Sequence, residues 1–208
     1  MWRTLTALAA AVLLDAQTVQ VRLQVEDRND WRTVDARTVL QAGDRIRFEF
    51  RADSPGYLYV LNRASNGQTS QLFPNRERRE TNRIEAGQPV TLPGTQGNYV
   101  IDGPPGYEVT YWILSPEPMQ TGIESLDWGE PKRLPDTLLP KCRDFSDSKR
   151  PCLDPNAGPA VTQAVNLPGP GGLRAREIRI ENRSQQSQVR ASSPKAGPII
   201  YEFRIAHR

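Results

Sequence analysis

Between residues 19 and 26 apolar and polar side chains alternate without a break: Val19, Val21, Leu23 and Val25 stand between Gln20, Arg22, Gln24 and Glu26. Successive side chains of an extended chain point to opposite faces, so this pattern makes a strand with one dry and one wet face. A helix cannot use it, because a helical apolar stripe recurs every three to four residues. The same period returns over residues 45–52, where Ile46, Phe48 and Phe50 oppose Arg45, Arg47, Glu49 and Arg51. Residues 57–62 are almost continuously apolar, as in a central strand covered on both faces. Further short strands are expected at residues 71–73, 89–92, 98–102, 108–114, 175–181 and 199–205, with Gly, Pro or Asn between them. About nine short strands so punctuated predict an all-β fold, an antiparallel β-sandwich in preference to a barrel because nothing fixes closure.

Proline and glycine sharpen this. The chain has 18 Pro and 15 Gly in 208 residues, which excludes a long coiled coil. From residue 115 to about residue 173 it carries ten prolines, from Pro116 to Pro170, and the expectation is an irregular, Pro-rich excursion with short helical turns near residues 123–128 and 160–165. Residues 184–197, rich in Ser and Gln, read as a mobile loop. Asp27-Arg28-Asn29-Asp30 reads as a turn.

Residues 1–16 have the order of a secretory signal: a positive charge at Arg3, an apolar stretch from Leu5 to Leu14, and small Ala16 where cleavage is expected. That leaves residues 17–208 as one sandwich domain, exported to the periplasm or outside the cell. The apolar stretch is too short to span a bilayer, which takes about 20 residues, so no stable membrane insertion is expected. Cys142 and Cys152 then read as one disulfide pinning the excursion. Free thiols and a metal site are the alternatives, the metal disfavoured because His207 is the only histidine and Cys and His together supply at most three of four ligands.

Gly43 to Phe50, Gly56 to Asn62, Gly67, Leu72-Phe73-Pro74-Asn75, Asn82, Ile84, Gly87 and Pro104-Pro105-Gly106-Tyr107-Glu108 together resemble the bacterial family called domain of unknown function 4384. The resemblance covers roughly residues 40–118, under half of the chain. Residues 138–143 and 201–204 also look like an extension present in some exported members. The resemblance implies an immunoglobulin-like sandwich and an accessory role, since members follow signal peptides or are appended to proteases, kinases and repeat proteins. It assigns no catalytic residue. The residues themselves suit a scaffold: Gly56 is expected to turn the chain with positive φ, Tyr57 and Tyr59 share one face, and Leu72 and Phe73 cap the core.

Chemistry beyond a scaffold finds little purchase. Ser and His hydrolysis lacks a nucleophile elbow, and His207 lies in a terminus expected to fray. Glycoside hydrolysis needs two carboxylates, and no pair stands out. The Gly169–Gly172 stretch lacks the Lys and Ser or Thr of a phosphate loop. No catalytic residue, cofactor or metal is assigned. Arg76, Arg78, Arg79 and Arg83 cluster in one stretch, but Glu77 and Glu80 interleave with them and the whole chain carries only +3, so nucleic acid is not the expected partner. These arginines and the excursion are the candidate binding surface for a protein of the cell envelope or exterior. A carbohydrate-binding module using Trp31 or Trp128 is the alternative.

Overall fold

The computed structural model describes residues 17–75, 80–94, 97–119, 152–162, 176–183, 185–191 and 197–208. These hold β1 (Thr18–Asp27), β2 (Asp30–Val34), β3 (Arg45–Ala52), β4 (Gly56–Arg63), β5 (Thr69–Phe73), β6 (Arg83–Ile84) and β7 (Val90–Leu92). They continue with β8 (Tyr99–Val100), β9 (Gly106–Ser115), β10 (Gly158–Ala160), β11 (Ile178–Arg183), β12 (Gln186–Ala191) and β13 (Ile199–His207). Among the described residues there is no helix, and hence none long and apolar enough to cross a membrane.

Two antiparallel sheets face each other. One runs β11-β12-β1-β3-β7, with β2 also on β1 and β8 also on β3; the other runs β10-β13-β9-β4-β5, with β6 also on β4. The alternation of β1 and β3 is used as expected: Val21 pairs with Phe50 and Leu23 with Phe48, and all four point inward. The second sheet answers with Leu58, Val60, Trp112, Leu114, Tyr201 and Phe203. Trp112, fully buried, is the centre of the core. Phe48 meets it edge-on at 5.2 Å between ring centroids, while Phe50 at 5.7 Å and Tyr201 at 6.1 Å stack on it. Its indole N–H donates to Thr110 Oγ1 at 2.9 Å, and that hydroxyl donates to the Phe203 carbonyl at 3.0 Å, so the buried polar atom is satisfied.

Several expectations are corrected. The turn expected at Asp27-Arg28-Asn29-Asp30 forms, with φ of 52° at Arg28 and 69° at Asn29, but it leads straight into β2, the second arm of a hairpin in which Asp30 pairs with Asp27 and which the alternation did not announce. Gln186–Ala191 is a strand and not a loop: Ser187, Val189 and Ala191 are buried, while pairing with both β1 and β11 supplies the order its polar sequence lacks. Ala160 ends β10 instead of opening a helical turn; Pro159 is tolerated there because β10 lies at a sheet edge. Gly56 is required for closeness and not for positive φ, since a Cβ at that position would stand 2.8 Å from the Ser115 carbonyl oxygen. His207 does not fray; it is wholly buried in β13 opposite Gly106. The expected helical turn at residues 123–128, the Cys142–Cys152 pairing and the signal at residues 1–16 lie outside the described residues.

Candidate functional site

Among the described residues the sandwich is not closed along one side. Strand β5 ends its sheet and pairs only with β4 among the described strands, while β8, two residues long, edges the facing sheet. Between them opens a cleft of about 750 Å³. Ile46 and Phe48 of β3, Leu72 of β5 and Tyr99 of β8 give it apolar walls, and Asn62, Thr110 and Glu108 supply polar groups deeper in. A second hollow of about 440 Å³ continues along β5 and shares Leu72, Asn98 and Tyr99 with the first, so one groove follows the strand edge. Concave, partly apolar surface with a few convergent polar groups is the usual form of a binding site.

Glu108 is the unusual member. In β9 it occupies the inward register of Thr110 and Trp112, a position at which a sandwich strand normally places an apolar side chain. The Ser65 N–H donates to its Oε1 at 2.9 Å and Asn62 Nδ2 to its Oε2 at 3.0 Å, and His207 Nε2 stands 3.4 Å from Oε1. Burial pushes this carboxyl up, but the groups from His207, Ser65 and Asn62 together outweigh burial and hold it below the ordinary glutamate range. Glu108 is therefore a fixed anion. Glycosidic general acids need the opposite shift, so Glu108 does not have the environment of one; Asp102 at the rim adds a second carboxylate to the cleft.

Most of the residues singled out from sequence lie beyond what the structure describes. Arg76, Arg78, Arg79, Trp128 and Cys142 lie outside the described residues. Arg83 is exposed in β6, its Nε donating to Glu85 at 2.9 Å. Trp31 stands on the outer face of the other sheet, where the Arg47 guanidinium carbon lies 4.3 Å from its ring centroid. Cys152 packs with Val39, Tyr107, Ala157 and Ala206. Asp154-Pro155-Asn156 is a turn as expected: Asp154 Oδ1 accepts the Asn156 N–H at 2.8 Å, and Oδ2 accepts the Tyr107 hydroxyl at 2.6 Å. Asn62, Asp102 and Glu108 went unremarked as a group in the sequence. The available signal was a charge at an inward position of β9.

Fold and groove together define a two-sheet antiparallel sandwich with an open, carboxylate-lined side. Residues 39–118 match the model of the family described as Domain of unknown function (DUF4384), as the sequence resemblance proposed. That stretch holds β3 to β9 and nearly all of the groove; β1 and β13, which lie centrally in the two sheets, come from outside it. No curated protein and no solved structure matches the chain.

Proposed function

We propose that this chain is an exported, non-enzymatic interaction module of the cell envelope, built on an immunoglobulin-like sandwich and taking an extended segment of a partner protein along β5. The observation that carries the proposal is the groove beside a strand edge that no second strand among the described residues covers. Main-chain groups of such an edge can pair with an added strand, and the cleft would receive alternate side chains of it. The charge of the lining names the partner's chemistry. Glu80, Asp102 and Glu108 line the groove with no Lys or Arg among the described lining residues, in a chain of net charge +3. The segment that fits carries a Lys or Arg between apolar side chains.

A photo-cross-linking residue in place of Ser70, at the cleft, captures a partner from envelope extract, whereas the same residue in place of Gln20, on the opposite sheet's outer face, does not. With the cross-linking residue moved to Thr69, which also lines the cleft, capture persists in the otherwise native chain and is abolished by Ser70→Arg without a lower melting temperature. Capture from position 20 alone, capture that survives Ser70→Arg, or no capture at all refutes the proposal.

Export is supported by the order of charge, apolar run and small residue in residues 1–16, and a Cys142–Cys152 disulfide by the lack of a free cysteine among the described residues. Mature protein begins at Gln17 by mass spectrometry, and both cysteines resist thiol reagents until a reductant is added. A chain that keeps Met1, or thiols that label at once, removes this part of the proposal.

A further inference from the structure

The outer face of the sheet β11-β12-β1-β3 is a continuous polar comb. Gln20 pairs with Arg51 and Gln188, Arg22 with Glu49, and Gln24 with Arg47 and Thr33, all on the face turned away from Val21, Leu23, Phe48 and Phe50. Arg179 and Arg190 face each other across β11 and β12 on the same side. With Arg45 and Arg183 this face holds seven arginines against Glu26, Glu49 and Glu181, an excess of positive charge larger than the +3 of the whole chain.

The arginines are of two kinds. Arg22 is fixed, Nη1 donating to Glu49 at 2.8 Å and Nε and Nη2 to Gln186 Oε1 at 3.3 and 3.0 Å; Arg47 is fixed on Trp31 and by Gln24. Arg51 and Arg179 are exposed, and neither guanidinium has a hydrogen-bond or ion-pair partner among the described residues. Arg51 borders a depression of about 230 Å³ walled by Gln20, Arg22, Glu49 and Pro89.

We infer that this face binds an acidic polysaccharide, with a uronate or sulfate group seated between Arg51 and Arg22. A guanidinium fork matches a planar carboxylate or a sulfate bidentately, and Arg51 has its donors free to do so. The glutamates decide the class. Glu26, Glu49 and Glu181 and the amide oxygens of Gln20, Gln24 and Gln188 stand among the arginines and accept hydrogen bonds, and the phosphodiester backbone of duplex DNA has no donor to offer them. A sugar hydroxyl is a donor as well as an acceptor, so it uses carboxylate and amide oxygens beside the arginines. The face is also open, with strands spaced at about 4.8 Å, which suits an extended repeating chain better than a compact ligand. This site is separate from the β5 groove and stands or falls without it.

The test uses the full mature chain with polygalacturonate and dextran sulfate as acidic probes and neutral dextran and duplex DNA as controls, in affinity electrophoresis. Polygalacturonate or dextran sulfate retards the protein, the effect fades with added salt, and neutral dextran does nothing. Arg51→Gln with Arg179→Gln weakens binding about tenfold or more while circular dichroism and melting stay unchanged; Arg51→Lys, which keeps charge but loses the fork, recovers only part. Arg83→Gln, on the other sheet, has no effect. No retardation by either acidic probe, equal losses in Arg83→Gln, unchanged binding in the double variant, or DNA binding as strong as polygalacturonate binding overturns the inference.

Discussion

Trp112→Ala lowers the unfolding free energy by about 3–5 kcal/mol, the range for emptying a large buried aromatic site. Three features place it at the upper part of that range. The indole is fully buried, and Phe48, Phe50 and Tyr201 pack on it from β3 and β13, so the hole opens between the two sheets and neither can close on it without shifting its own pairing. Removing the indole N–H also takes a donor from Thr110 Oγ1, although that hydroxyl keeps the Phe203 carbonyl. Domains of this size are stable by only about 5–15 kcal/mol, so a substantial fraction of the variant is unfolded at modest urea. Trp112→Phe retains most of the volume and loses about half as much or less. Urea denaturation followed by circular dichroism reads both. A cost under about 1 kcal/mol for the alanine variant would mean that Trp112 is not the keystone of inter-sheet packing.

Glu108→Ala costs about 1–3 kcal/mol near neutral pH, because it removes the charged acceptor of two partly buried hydrogen bonds, from the Ser65 N–H and Asn62 Nδ2. Its pH dependence separates this from simple packing. The folded pKa of Glu108 lies below the unfolded value, so the unfolded chain binds the proton more readily. The stabilisation is full above the ordinary glutamate pKa and is lost as pH falls through the lower folded value. Glu108→Gln keeps the shape, loses the charge, and is less stable than the native chain at about pH 6. The gap between the two holds down to the ordinary glutamate pKa and narrows as pH falls below it toward the lower folded value. A gap that stays constant over that range would mean that the carboxylate is not held ionised by its neighbours.

How much could be read in advance differs strand by strand. The strands β1, β3, β4, β9 and β13 were legible because each carries enough large apolar side chains at period two, or in a continuous run, to announce its buried face. β12 was not legible: its inward residues are Ser187, Val189 and Ala191, and only flanking by β1 and β11 makes Gln186–Ala191 extended. Nor was β2, whose five residues Asp30–Val34 offer one large apolar side chain per face and gain order from the turn at Arg28-Asn29. His207 was misjudged because position in the chain says nothing of pairing: Leu40 and Gly106 flank it and hold the last strand to its end. The groove was invisible because its walls come from β3, β5, β8 and β13 and its polar depth from β4 and β9, segments as far apart in the chain as Ile46 and Ile205 that meet only through sheet order.

By itself the sequence determined that this chain makes strands, which face of most of them is dry, and that residues 39–118 belong with a recognised pattern, because alternation and turn chemistry act over a few neighbouring residues. Tertiary structure alone decided which strand ends each sheet, that an inward Glu108 meets Asn62, Ser65 and His207, and that arginines from β1, β3, β11 and β12 share one face. Those are facts of pairing between distant segments, and the order of pairing is set by the summed burial of both sheets instead of by any one stretch of chain.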